Sequence, residues 1–129
     1  MPHMTVEYSA NVAEAVDIQA FCAVLRDAMV DTGIFPLGGI RVRAFPAEAY
    51  VIADGDPRHG YIHLICRVGH GRDQAVRLEA AETIYAAAEA HLKPLVGDQS
   101  FALSLDLDEL HPVTSLKRFN TIHEALKGA

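Results

Sequence analysis

The feature that most constrains this chain is a doubled order of elements: strand, helix, strand, begun near residue 3 and begun again near residue 61. Within such a unit the helix carries the chain back to its starting edge, so two strands that share a sheet must run parallel. Two units side by side predict a four-stranded sheet with two helices on one face, an α+β (α/β) architecture. Two helices cover one sheet face and leave the other bare. Association of several copies is the simplest cover for it.

The elements follow from periodicity. Residues 3–9 alternate, with Met4, Val6 and Tyr8 against His3, Thr5, Glu7 and Ser9, which is the period of a strand. Ala10–Val16 is read as a connection between that strand and the first helix. Asp17 is a natural N-cap for a helix over 17–32, in which Ile18, Phe21, Cys22, Leu25 and Met29 form one apolar stripe. Gly33 supplies its stop. Residues 40–45 read as the second strand, with Arg41, Arg43 and Phe45 on one side and Ile40, Val42 and Ala44 on the other. Pro46 should break that strand, and Tyr50–Ile52 should resume it. The third strand is expected at 61–68, and a helix capped by Asp73 at 73–92, ended by Pro94 and Gly97. The fourth strand is expected at 101–107, and a short helix around 120–127. His3, Arg41 and Arg43 fall near the bare face.

Composition bounds the partners. The chain has 129 residues, enough for a single domain over 1–129. Its formal charge of −6 argues against nucleic acid or an anionic membrane, which both require a basic footprint. Eight of the eleven basic residues are arginine, the side chain that forks onto carboxylates. No apolar run approaches the roughly 20 residues of a membrane span. The start, Met1-Pro2-His3-Met4, has no secretory pattern, so a cytoplasmic location is expected. Cys22 and Cys66 sit in apolar runs and read as reduced core thiols.

Few residues carry chemistry by themselves. Gly69-x-Gly71-Arg72-Asp73 joins a strand to a helix, where free amides and an adjacent arginine suit an anion. A tight turn with a solvated arginine is the plainer reading. Arg41 and Arg43 need an anion, either a local carboxylate or a ligand's. His59-x-x-x-His63 spans a loop and a strand and lacks the geometry of a zinc motif. Asp106, Asp108 and Glu109 read as a solvated strand end. Met1-Pro2 is a different matter. A small second residue permits removal of the initiator Met, which would expose a prolyl amine. In an apolar pocket beside arginine such an amine loses basicity, because burial and positive neighbours both disfavour its ammonium form.

These parts together resemble a family. Pro2-His3-x-x-Val6-Glu7, Thr32-Gly33-Ile34-Phe35-Pro36-Leu37-x-Gly39-Ile40-Arg41-x-Arg43, Gly69-x-Gly71-Arg72 and Leu110-His111-Pro112 resemble, in order and spacing, the 5-carboxymethyl-2-hydroxymuconate Δ-isomerases of the tautomerase superfamily. The resemblance implies a tautomerase-like fold, in which two βαβ units per subunit form a four-stranded mixed sheet, and a homotrimer with its sheets facing inward. It implies that the amino-terminal proline, Pro2, is the catalytic base and that Arg41 and Arg72 accompany it. The substrate implied is a small anionic tricarboxylate, a dienol met in homoprotocatechuate catabolism, and neither metal nor organic cofactor is required. Arg41 and Arg72 would bind its carboxylates, and Phe35, Pro36 and Leu37 would wall the pocket. Two other functions fit the same residues: a tautomerase of another 2-hydroxydienoate or enol, and a non-catalytic trimeric binder of anionic metabolites.

Overall fold

The computed structural model describes residues 1–128. Strand β1 (His3–Ser9) leads through a 3-10 turn at Ala10–Glu14 into helix α1 (Ile18–Asp31). A second 3-10 turn at Leu37–Gly39 opens strand β2 (Arg41–Ala47). Strand β3 (Gly60–Val68), helix α2 (Gln74–Val96) and strand β4 (Phe101–Glu109) repeat the order, and a short helix α3 (Ile122–Lys127) follows. No helix among the described residues is long and apolar enough to cross a membrane.

The four strands form one sheet in the order β2-β1-β3-β4. Each βαβ unit contributes a parallel pair, β1 with β2 and β3 with β4. The units join through antiparallel β1 and β3, which makes the sheet mixed. Alternation decides the faces. Met4, Val6 and Tyr8 of β1 and Ile62, Leu64, Cys66 and Val68 of β3 are buried toward the helices. There they meet Phe21, Leu25, Ala28 and Met29 of α1 and Ile84, Ala88 and Leu92 of α2. Full burial of one such large side chain stabilises the fold by about 1.5–3 kcal/mol.

Local chemistry explains most of the boundaries. The Asp17 carboxylate accepts from the Ala20 amide at 3.1 Å and starts α1. Gly33, at φ +74°, ends it in the left-handed conformation that a side chain would resist.

Four expectations change. Pro46 does not break β2: it lies opposite Tyr8, and the strand runs on to Ala47. The strand is at the sheet edge, where a proline nitrogen facing outward removes no ladder bond. Tyr50–Ile52 lies outside the sheet and does not resume it. Likewise α2 passes through Pro94 to Val96. Ala80, Ile84, Ala88, Leu92 and Val96 recur every fourth residue on the core side, and this packing carries the helix two residues past the proline. Gly97, at φ +56°, is the actual stop. Asp73 stands at the N-cap position of α2, but its side chain caps nothing.

The opposite sheet face is polar. Tyr61 donates to Glu7 at 2.9 Å, His63 and Ser104 are 2.6 Å apart, and Arg43 Nη1 lies 3.2 Å from His3 Nδ1. Burial pushes the Cys66 thiol up to about 12, and it raises the Cys22 thiol too, so neither is a ready nucleophile.

Candidate active site

The topology gathers the predicted site residues at one end of the sheet. Because β1 runs parallel to β2, the start of β1 lies beside the start of β2, and the Arg41 amide donates to the Pro2 carbonyl at 3.2 Å. Because β1 runs antiparallel to β3, it also lies beside the end of β3, with His3 opposite Arg67. The chain leaves β3 through Gly69–Arg72, so Arg72 arrives at the same place. Strand β4, parallel to β3, ends there too, and its tail begins over the site.

Pro2 is buried at this meeting point. Gly39 explains how its ring fits. A Cβ on Gly39 would come within 3.3 Å of Pro2 Cδ and 3.6 Å of Pro36 Cγ. The glycine thus lets the second 3-10 turn close onto the amino end of the chain.

Arg41 Nη1 donates to the carbonyls of Gly38 and Gly39, at 3.2 and 2.8 Å. Arg72 Nη1 donates to Gly69 O at 3.3 Å, and Nη2 donates to Ile34 O at 2.8 Å. The Arg72 guanidinium carbon sits 5.1 Å from the centre of the Phe35 ring. Phe35 is therefore a buried platform beneath the cation, whereas Leu37 is exposed. Neither arginine is paired with a carboxylate among the described residues. Carbonyls hold both guanidinium groups in place and leave N–H donors over for an anion.

The amino group of Met1 reports the field at this point. It is lowered to about 6, first by burial, then by Lys117, Arg72 and Arg41, whose positive charges oppose a fourth. His3 is lowered as well, by burial and then by Arg43 and Arg41.

The glycine turn needs a correction. An anion site there needs free amides, and the plainer reading, a tight turn, needs a solvated arginine. Instead the Gly71 N–H donates to the Glu109 carboxylate at 2.8 Å. Glu109 also lies 3.7 Å from Arg77 Nη1, and Arg77 Nε donates to the Arg72 carbonyl at 3.2 Å. Glu109 is thus no solvated strand end, since it braces the turn that carries Arg72. Asp108 is exposed, as expected, and Asp106 is an exposed partner of His63 at 3.6 Å.

Periodicity gave no sign of Lys117. It lies in the tail beyond β4, where no pattern marks one residue above another. The tail returns to the site because α3 packs on the Leu37–Gly39 turn. A Cβ on Gly38 would collide with the His123 imidazole. Gly38→Ala should therefore push the His123 ring out of the turn and loosen the hold on α3 while sparing the sheet. Limited proteolysis should cut the variant after residue 110 faster than the parent, with the melting temperature little changed.

A cleft of about 610 Å³ opens between Gly71–Arg72 and Leu110–Pro112. Another, of about 630 Å³, lies at the far end of the sheet among Asn11, Arg58, His59 and Ser100, and holds none of the site residues.

The comparisons with known proteins agree with one another. The family model for 5-carboxymethyl-2-hydroxymuconate isomerase matches residues 2–126. The chain is 34% identical over 127 residues to the 5-carboxymethyl-2-hydroxymuconate Delta-isomerase of Escherichia coli, covering 98% of this chain and all of the relative. A crystal structure of a 5-carboxymethyl-2-hydroxymuconate delta-isomerase superposes with a TM-score of 0.88 at 36% identity, over 98% of this chain and 93% of that one. A fused 4-OT protein, described as a symmetric trimer, shares the tautomerase fold at a TM-score of 0.67 and 14% identity, over 92% and 95% of the two chains. A mixed sheet of two βαβ units, the motifs at its open end and a relationship spanning nearly every residue lead to one conclusion: the chain is an isomerase of the 5-carboxymethyl-2-hydroxymuconate isomerase family.

Proposed function

We propose that this chain, once Met1 is removed, converts 5-carboxymethyl-2-hydroxymuconate to its conjugated 2-oxo isomer, a step of homoprotocatechuate (4-hydroxyphenylacetate) catabolism. The observation that carries the proposal is the place of the amino end. It lies among Arg41, Arg72 and Lys117, and none of the three is in an ion pair among the described residues.

With Met1 in place the Pro2 nitrogen is an amide and has no basicity. Without Met1 it is a secondary amine in the same cationic field, held neutral and free to accept a proton. The amine takes the proton of the 2-hydroxyl. The electron pair released moves through the diene to C5, and the proton is delivered there. The 2-hydroxyl becomes a carbonyl, the double bond shifts into conjugation with it, and Pro2 is neutral again. Atoms and electrons balance without a redox partner. Arg41 and Arg72 bind carboxylates and stabilise the charge that grows on the 2-oxygen.

The working unit in this reading is a homotrimer. Phe45 on the edge strand and Val113, Leu116 and Phe119 in the tail are exposed apolar groups, and Phe119 is 92% exposed. Contact with neighbouring copies would bury them. The fused 4-OT relative in fold is itself a trimer. The free thiols of Cys22 and Cys66 accord with a reducing compartment such as the cytoplasm.

The test uses protein whose intact mass confirms loss of Met1. Mixed with 5-carboxymethyl-2-hydroxymuconate, it should replace the dienol absorption by that of the conjugated ketone and sediment at three chain masses. Turnover confined to smaller enols would instead identify another tautomerase. Binding with no turnover of any enol would leave a trimeric binder of anionic metabolites.

A further inference from the structure

Three basic side chains face the amino end, and the tail supplies one of them. It leaves β4 at Glu109, and the Leu110 amide donates to the Val68 carbonyl at 2.7 Å. His111 Nδ1 then accepts from the amides of Val113 and Thr114, each at 3.1 Å, and turns the chain back. At the other end α3 holds the Leu37–Gly39 turn through His123. Lys117 lies between these two anchors.

Its position can be stated from Gly69. The point where a Gly69 Cβ would lie is 3.9 Å from Lys117 Nζ and 3.8 Å from Arg72 Nη1. The two cations therefore flank the same glycine, each at ordinary contact distance from that point. Lys117 is also foremost among the charged neighbours that lower the Met1 amine, ahead of Arg72 and Arg41. The other two lysines of the chain are neutralised locally, Lys93 by Glu89 at 3.7 Å and Lys127 by Glu124 at 3.1 Å. Lys117 has no carboxylate partner among the described residues. Holding like charges together costs free energy unless an anion joins them.

We propose that the Lys117 ammonium binds one carboxylate of the substrate, beside those held by Arg41 and Arg72, and so makes the site select tricarboxylates over dicarboxylates. The inference rests on the function proposed above, for 5-carboxymethyl-2-hydroxymuconate carries three carboxylates and three cations face the amino end. A lysine suits the third place because its ammonium is a point charge on a flexible stem, whereas a guanidinium is a fixed fork.

The test compares wild type, Lys117→Ala and Lys117→Arg, all free of Met1. Lys117→Ala should raise KM for 5-carboxymethyl-2-hydroxymuconate by at least about tenfold, since a charge-assisted contact is worth that much. KM for 2-hydroxymuconate, which lacks the carboxymethyl arm, should change far less, and Lys117→Arg should recover most of the loss. An equal change for both substrates, or no change, would overturn the proposal. Calorimetric titration with tricarballylate, an unreactive tricarboxylate, separates this inference from the reaction itself. If wild type turns over nothing, the function proposed above fails. Lys117 is then judged by whether Lys117→Ala weakens tricarballylate binding, and unchanged or absent binding in wild type counts against it.

Discussion

Pro2→Ala should lower turnover of the Met1-free enzyme by about 10²- to 10⁴-fold, the contribution expected of a positioned general base. The variant keeps an amine at its end, now a primary one without the ring that packs on Gly39 and Pro36. A retained Met1 should cost at least as much, because it turns the base into an amide. Both comparisons are made on kcat, with circular dichroism and sedimentation confirming the fold and the assembly. Full activity in Pro2→Ala would remove Pro2 from the role of base.

The pH dependence has a definite sign. Protonating the amine adds a positive charge beside Arg41, Arg72 and Lys117, so the neutral base is favoured. The Met1 amine already falls from its ordinary 8.0 to about 6 in this field. The acid limb of kcat/KM should accordingly lie below the ordinary range of an amine and rise with pH to a plateau. In the chain that retains Met1, the unfolded state binds the more protons between those two values. The stability tied to this group is therefore complete above about pH 8 and is lost as the pH falls through about 6.

The sheet was largely legible in the sequence because strand and helix periods differ and both repeat. Met4, Val6 and Tyr8 announced the buried side of β1, and Asp17 and Gly33 bracketed α1 closely. The pairing of β1 with β3 was not legible. Nothing within a βαβ unit says how two units join, yet that antiparallel contact carries Arg72 to Pro2. The prolines misled for the opposite reason. Pro46 and Pro94 are local breakers, and a sheet edge and a row of packed residues overrode them. Glu109 and Lys117 were misread or missed because their meaning is wholly tertiary. One carboxylate finds the Gly71 amide, and one ammonium finds the amino end, across long gaps in sequence.

Arg72→Ala should reduce kcat by about 10²- to 10³-fold, the loss that follows removal of one donor to a developing negative charge, or about 2.7–4 kcal/mol. The structure adds a second cost. The guanidinium ties Gly69 O to Ile34 O and lies over Phe35, so it joins the glycine turn to the loop after α1. Losing those bonds should destabilise the fold by about 1–3 kcal/mol, which is more than a solvated turn arginine would cost. The two effects separate cleanly. Urea unfolding measures the stability loss, and kcat is read where more than nine-tenths of the variant is folded. A fall in kcat that tracks the unfolded fraction would make Arg72 a structural brace alone. Arg72→Lys sharpens the distinction, since it keeps the charge but cannot reach both carbonyls and a carboxylate at once. Its kcat should lie between those of Arg72→Ala and wild type, and its stability close to that of Arg72→Ala. That division would assign the charge to the reaction and the fork to the fold.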